Sequence, residues 1–243
     1  MNVSVTFDNL GEASDLERGW WPEDEPIGAH YSVTEALPRV LEALDETGLR
    51  ATFFVEGINA EIYPETLTDL HARGHEVACH GWRHERWAGL EPATERDRLR
   101  RSAEGMRSLG LRPAGFRPPG GELTAATPAL LGELGFTYCS PAEGVDPGAL
   151  PSFPFRWELL DAYHYLPHLA DRRGQDEPLP PARLRETVLA ALEEPQDHLV
   201  LIFHPFLADT DERVQVIRDV LARVRELVDE GAAVCAPCRE LVG

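Results

Sequence analysis

Short apolar runs alternate with amphipathic segments along nearly the whole chain. The apolar runs are rich in β-branched and aromatic residues, a composition typical of buried strands. In the segments between them, apolar residues step by three and four, as Leu37, Val40, Leu41 and Leu44 do. That spacing predicts amphipathic helices, and a glycine such as Gly48 follows most of them as a stop signal.

This pattern predicts strands over residues 3–7, 50–55, 75–79, 114–116, 136–139, 152–157, 199–203 and 232–236. It predicts helices over residues 32–47, 64–73, 91–109, 124–134, 181–194 and 212–230. Two stretches lack a clear period: residues 11–31, interpreted as a functional or capping loop, and residues 158–180, interpreted as irregular.

Strands and helices alternate without any linker rich in Gly, Ser or Pro, which predicts a parallel sheet in a single domain over residues 1–243. The number of strand–helix units favours a distorted parallel (β/α) barrel of about seven strands over an open sheet. A chain of 243 residues with 43% hydrophobic content can bury the core of such a domain.

Composition narrows the possible partners. The net charge of −19 argues against nucleic acid or an anionic membrane as a partner, because both need clustered basic residues. The chain has no lysine, which excludes Schiff-base chemistry and a P-loop lysine. It shows no secretory signal and no apolar run long enough to span a membrane, so we expect a cytoplasmic protein. The oligomeric state stays open.

Polar side chains follow the predicted strands at the points where each strand ends. They are Asp8 and Asn9, His80 and His84, Arg117, Trp157 and Asp161, and His204. The carboxyl ends of the strands in a parallel barrel form one face, and catalytic groups gather there. We therefore expect these residues, which are far apart in the sequence, to lie around one opening.

Such a set supports metal-assisted hydrolysis. His80 and His84 offer two imidazoles from one loop, Asp8 would accept a proton from water, and Arg117 would keep Asp8 ionised. His204 would protonate a departing amine. Each residue also has a structural interpretation: Asp8 as a turn cap, Arg117 in a surface turn, and His204 as a hydrogen-bonded core histidine.

Five segments resemble, in order, the motifs of one family: Thr6-Phe7-Asp8-Asn9, His80-Gly81-Trp82-Arg83-His84, Arg117-Pro118-Pro119-Gly120, Trp157 through Asp161, and Leu201-Ile202-Phe203-His204. The family is the polysaccharide deacetylases (NodB-homology, carbohydrate esterase type), and the chain resembles a short cytoplasmic form. The resemblance implies a distorted (β/α) barrel, a divalent metal, expected to be Zn²⁺, and hydrolytic removal of an acyl group from nitrogen.

The resemblance also implies roles for single residues. Catalysis would fall to Asp8 as base, Arg117 as its partner and His204 as acid, and metal binding to His80, His84 and Asn9. The candidates on the substrate side are Trp157, Pro118 and Asp161, of which Asp161 also matches a partner of His204.

One position departs from the family pattern. The family usually has aspartate where this chain has Asn9, and a neutral amide oxygen is a poorer ligand for Zn²⁺. Glu12 or Asp15, on the adjoining loop, could replace the missing carboxylate. A metal-free site is the other possibility, since relatives that open cyclic ureides and imides can work without metal.

The main prediction is a hydrolase of non-peptide C–N bonds that deacetylates an N-acylated sugar or a related small amide with the help of a metal. One alternative is a metal-free, ring-opening amidohydrolase for cyclic imides or ureides. A second is a catalytically impaired barrel that only binds sugars, which Asn9 alone favours. The aromatic residues Trp20, Trp21 and Tyr31 suit a closed pocket for a small molecule.

Two further patterns are interpreted as structural. His164 and His168 repeat the four-residue spacing, but no predicted strand presents them. Cys235 and Cys238 have the spacing of a redox pair, but they lie at the end of a chain much larger than a thioredoxin-type domain. We expect buried thiols there.

Overall fold

A seven-stranded parallel sheet forms the centre of the computed structural model, which describes residues 1–242. The strands within these residues are β1 (Asn2–Asp8), β2 (Thr52–Val55), β3 (Glu76–Cys79), β4 (Gly115–Phe116), β5 (Tyr138–Cys139), β6 (His198–Phe203) and β7 (Val234–Cys235).

The helices pack around this sheet. They are α1 (Ala13–Arg18), α2 (Leu37–Thr47), α3 (Asn59–Ile62), α4 (Pro64–Ala72), α5 (Pro92–Ser108), α6 (Thr127–Leu134), α7 (Asp161–Tyr165), α8 (Ala170–Arg173), α9 (Pro181–Leu192), α10 (Asp211–Asp229) and α11 (Cys238–Leu241). One π-helical turn, Ser32–Ala36, precedes α2, and short 3₁₀ turns lie at Trp87–Gly89, Trp157–Leu159, Pro167–Leu169 and Pro205–Leu207.

The sheet has the order β5-β4-β3-β2-β1-β6, and β7 pairs with the start of β1. Strand β1 is the longest, and six of its seven residues are buried. The register aligns the ends of β1 and β6, because Phe7 pairs with Phe203, and β2 extends two residues beyond Phe53, the partner of Phe7. The residues that follow these strands therefore emerge side by side.

Both faces of the sheet are covered by apolar side chains. Neighbouring residues of β2 show the alternation expected of a strand, because Phe53 belongs to the large core under the helices and Phe54 to a second cluster. The second cluster also contains Ala78, Tyr138 and Ile202, from three other strands. The apolar runs of the sequence reflect this burial on both faces.

An irregular segment closes the sheet between β5 and β6. Ser152 forms an isolated parallel bridge with Cys139 of β5, and Leu160 forms another with Ile202 of β6. The predicted strand over residues 152–157 is wrong, because only isolated bridges form there. Pro154 lies in the middle of that stretch, and a proline has no N–H for a ladder hydrogen bond.

The two stretches predicted to be loops contain short helices. Helix α1 lies inside residues 11–31, and α7 and α8 lie inside residues 158–180. These helices are four to six residues long, too short for a hydrophobic period to show in the sequence.

The other predicted elements are confirmed, with shifts of a few residues at their ends. The predicted fold class, a distorted parallel (β/α) barrel, is also confirmed: the parallel sheet curls into an incomplete barrel surrounded by helices. Within residues 1–242, no helix combines the length and the apolar character that a membrane span requires.

Candidate active site

Each of six neighbouring strands places a polar residue at its carboxyl end. In the order of the sheet from β5 to β6, these residues are Ser140, Arg117, His80, Glu56, Asp8 with the adjoining Asn9, and His204. Hydrogen bonding continues past the strands, since the backbone N–H of His80 donates to the carbonyl of Val55 (2.9 Å). The rim of the barrel is therefore an ordered part of the sheet.

Asp8 and Arg117 form a buried ion pair inside this rim. Nη1 of Arg117 lies 2.6 Å from Oδ1 of Asp8, and the side chains are 1% and 5% exposed. The guanidinium also donates to the hydroxyls of Thr6 (2.8 Å) and Ser140 (2.9 Å) and stacks on the ring of Phe54. These contacts fix the orientation of the Asp8 carboxylate and leave its Oδ2 available to a water molecule.

His80, His84 and Glu56 form a cluster of potential metal ligands. One side-chain donor atom from each lies within 4.8 Å of those of the other two. Nδ1 of His80 lies 2.8 Å from the carbonyl oxygen of Arg117. A carbonyl can only accept, so Nδ1 carries the proton and Nε2 of the neutral ring keeps a free lone pair for a cation.

The ionisation of the cluster follows from burial. Burial lowers the pKa of His80 to about 3, and the positive charge of Arg117 adds to this shift. Burial and the neighbouring His80 also lower the pKa of His84. Both rings are therefore neutral at physiological pH, which is the form that binds a metal. Burial, with a smaller effect from the charge of Asp8, raises the pKa of Glu56 to about 8.

Two residues of this rim have an unusual backbone conformation. Within residues 1–242, the non-glycine residues with positive φ are Asn9 (61°) and His84 (67°). Asparagine tolerates this region better than most residues, but histidine adopts it rarely, and such conformations are concentrated at functional sites. Oδ1 of Asn9 is buried and has no hydrogen-bond partner among the described residues. An acceptor in this position suits a cation or a hydrogen-bond donor.

His204 is held by Asp161. Nδ1 of His204 lies 2.5 Å from Oδ1 of Asp161, and its backbone N–H donates to Oδ2 (2.7 Å). Burial alone would lower the pKa of His204, but the charge and hydrogen bond of Asp161, helped by the charge of Asp8, raise it above its ordinary value. The raised pKa favours the protonated imidazolium form, which carries a proton on Nε2 in addition to the one on Nδ1.

The substrate-side candidates lie beside the rim. The ring of Trp157 packs edge-on against Phe155 (5.4 Å between centroids), and Arg172 lies 4.1 Å from the centre of the Trp157 ring. Phe155 in turn lies 5.6 Å from the guanidinium of Arg117. Pro118 is buried in the turn after β4, where its carbonyl accepts from the N–H of Gly121. These contacts bring Trp157 to the edge of the site.

Segment 11–31, which contains α1, also reaches the opening of the barrel. The positive charge of Arg18 contributes to the lowered pKa of His84, and the guanidinium lies 5.1 Å from the ring of Trp20. The Trp20 side chain is 69% exposed. The hydroxyl of Tyr31 donates to the carbonyl of Phe206, two residues beyond His204. An aromatic segment thus lies beside the rim.

Both carboxylate oxygens of Glu12 accept hydrogen bonds within the protein. One of its carboxylate oxygens accepts from the backbone N–H of Gly28 (2.5 Å) and the other from the hydroxyl of Tyr63 (2.6 Å). Asp15 is likewise absent from the ligand cluster found within residues 1–242. The sequence suggested both because they follow Asn9 closely, but the chain turns into α1 there and a hydrogen-bond network uses Glu12.

The two remaining patterns lie outside the ligand cluster found within residues 1–242. Nε2 of His164 is bonded to the carbonyl of Glu158 (2.9 Å), and neither His164 nor His168 belongs to the ligand cluster of the described residues. Cys235 and Cys238 are free thiols, the first partly and the second fully buried.

Glu56 was missed by the sequence interpretation, although a signal for it existed. It directly follows the strongest apolar run of the first half of the chain, Thr52–Val55, just as His80 and His204 follow β3 and β6. The rule that located the other rim residues would have found it.

Comparison with known proteins identifies the family. A family model described as polysaccharide deacetylase matches residues 2–139, more than half of the chain. A peptidoglycan deacetylase of Helicobacter pylori is 34% identical over 118 residues, or 48% of this chain and 40% of that protein. The peptidoglycan deacetylase-like protein FGM2 of Gibberella zeae is 34% identical over 111 residues, or 44% of this chain and 33% of that protein.

These alignments therefore span well under half the length of the curated relatives. A crystal structure of a Mycobacterium smegmatis protein, which carries the description of a polysaccharide deacetylase, superimposes with a TM-score of 0.83 at 29% identity. That match covers 99% of this chain and 88% of the other. The chain belongs to the polysaccharide deacetylase family.

Proposed function

We propose that this protein is an amide hydrolase that removes the acyl group from an N-acylated sugar or a related small amide, with the help of a divalent cation. The observation that carries the proposal is the joint placement of the Asp8–Arg117 pair, the His80/His84 pair and the His204–Asp161 pair on one barrel rim. Relatives named peptidoglycan deacetylase and chitin deacetylase support the sugar substrate.

A cation fits this part of the rim. His80 and His84 offer neutral imidazoles, and one oxygen each of Asn9 and Glu56, without a partner among residues 1–242, lies buried at the ends of the two neighbouring strands, β1 and β2. When bound, a divalent ion would polarise the acyl oxygen and lower the pKa of a nearby water molecule. Zn²⁺ suits a mixed set of nitrogen and oxygen ligands, and we propose it as the ion.

The protein's own residues would move the protons. Asp8, held through Oδ1 by Arg117, would take a proton from the attacking water as that water forms a bond to the acyl carbon. His204, whose pKa is raised, would give the proton on Nε2 to the nitrogen as the C–N bond breaks. The products are a carboxylic acid and a free amine. Asp161 orients His204 and stabilises its charged form.

The substrate would enter between two sets of aromatic side chains. Trp157 lies at the edge of the site, and the exposed side chains of Trp20 and Tyr31 lie on segment 11–31. Aromatic rings bind the apolar faces of sugars well, which suits an N-acylated sugar. The cytoplasmic location stays a prediction of the sequence.

A substrate screen tests the proposal. N-acetylated sugars and cyclic imides would be incubated with protein purified without chelator, with and without added Zn²⁺ or Co²⁺, while acetate release and ring opening are measured. We expect release of acetate that a chelator abolishes. Ring opening that a chelator does not affect would favour the metal-free amidohydrolase instead. Tight sugar binding without turnover under any metal would indicate a binding protein.

A further inference from the structure

Glu56 is a buried carboxylate whose two oxygens have different surroundings. Oε2 accepts hydrogen bonds from the backbone N–H of Leu10 (3.3 Å) and from the side-chain amide of Asn59 (3.2 Å). Oε1 is buried and has no partner among residues 1–242. A purely structural role for Glu56 would leave this oxygen desolvated and unpaired, at a cost of roughly 1–3 kcal/mol.

The sheet register places Glu56 beside His80. Val55 pairs with Cys79, so Glu56 and His80 are the next residues on adjacent parallel strands. The ladder continues beyond them, because the N–H of Gly57 donates to the carbonyl of Gly81 (2.9 Å). The position of Glu56 relative to His80 is therefore fixed by backbone hydrogen bonds on both sides of the pair.

The spacing also suits one small cation. The donor atoms of Glu56, His80 and His84 all lie within 4.8 Å of one another. Bonds of about 2.0–2.2 Å in a tetrahedral arrangement separate ligand atoms by about 3.3–3.6 Å, so modest side-chain movements would close the set. The contacts that Leu10 and Asn59 make to Oε2 would orient the carboxylate, as outer partners do at metal sites.

We propose that Glu56 supplies the third protein ligand of the cation, through Oε1, in place of the aspartate that this chain lacks at position 9. This inference rests on the metal dependence proposed above. It also explains the charge of the site. Two histidines and Asn9 would bind the ion with neutral groups only, whereas Glu56 would add one negative charge once the cation displaces its proton. The carboxylate ligand would thus come from the end of β2 instead of the end of β1.

Metal titration of the purified apoprotein tests this assignment. Zn²⁺ binding would be measured by calorimetry for the unmodified protein, for Glu56→Gln and for Glu12→Gln. We expect Glu56→Gln to bind at least about 100-fold more weakly. Glu12→Gln makes the same change at another buried carboxylate near the rim, one whose oxygens are both hydrogen-bonded within the protein. It should bind like the unmodified protein.

Equal binding by Glu56→Gln and the unmodified protein would overturn the ligand assignment and leave the proposed hydrolase intact. Absence of Zn²⁺ and Co²⁺ binding in the unmodified protein would overturn both proposals. A crystal structure of the unmodified protein with Co²⁺ needs no variant to fold. We expect Oε1 of Glu56 about 2.0–2.2 Å from the ion. An ion that is bound by His80 and His84 but not by Glu56 would refute the assignment.

Discussion

The buried Asp8–Arg117 pair gives the sharpest prediction about stability. Replacing Arg117 by methionine keeps much of the apolar length of the side chain but removes every donor. Asp8 would then be a buried carboxylate without its counter-charge, and the hydroxyls of Thr6 and Ser140 would lose one and two donors, respectively. The variant should be strongly destabilised as well as inactive.

The size of the effect follows from the burial of the pair. Breaking a buried ion pair by removing one partner costs about 3–5 kcal/mol. The total free energy of unfolding of a domain is only about 5–15 kcal/mol. At about 2–4 °C per kcal/mol for a domain of this size, the melting temperature should fall by roughly 6–20 °C. Asp8→Asn leaves Arg117 unpaired and should also destabilise the protein.

The double variant Asp8→Asn/Arg117→Met removes both charges together. It should lose less stability than the two single variants combined, with a coupling free energy of about 2 kcal/mol or more. Urea unfolding followed by circular dichroism measures all four proteins. Arg39 and Asp211 provide a matched control, because their ion pair has a 2.5 Å contact but is exposed, and Arg39→Met should cost under about 1 kcal/mol.

Additive losses in the double variant would refute this reasoning, because they would mean that the two charges do not stabilise each other. A loss for Arg117→Met no greater than that for Arg39→Met would do the same. Either result would remove the structural basis for Asp8 as an oriented base.

Two further predictions concern the histidines. Asp161→Asn removes the charge that raises the pKa of His204 and leaves the burial that lowers it, so that pKa should fall. In the proposed mechanism turnover needs protonated His204, so the alkaline limb of the pH–rate profile should move to lower pH, and an unmoved limb would exclude His204 as the acid. His84→Asn tolerates the positive φ of this position but lacks the imidazole, so the folded variant should lose the bound cation. Full occupancy by metal analysis would remove His84 from the ligand set.

Much of the fold could be predicted because burial on both faces of a parallel sheet leaves continuous apolar runs. The runs that form β1, β2, β3 and β6 are interrupted by glycines and polar residues at nearly the observed ends. A strand was wrongly predicted over residues 152–157 because Phe153 and Phe155 alternate with other residues as they would in a strand. Both are indeed buried, but Pro154 prevents a continuous ladder.

The site could be predicted in part by the same rule. Asp8, Arg117 and His204 follow strands, and their placement on one rim needs only a parallel barrel. The role proposed for Glu56 depends on something that the sequence does not display, the register between β2 and β3 that sets it beside His80. The hydrogen bonds that Glu12 accepts from Gly28 and Tyr63 likewise could not be predicted, because these residues are distant from it in the sequence.

The central claim is that Asp8 accepts a proton from the attacking water at this rim. The most direct test compares turnover of the unmodified protein and Asp8→Asn on the same N-acylated substrate, at equal and verified metal occupancy. Losing the base should lower turnover by about 10²-fold or more. Turnover by Asp8→Asn equal to that of the unmodified protein would contradict the account.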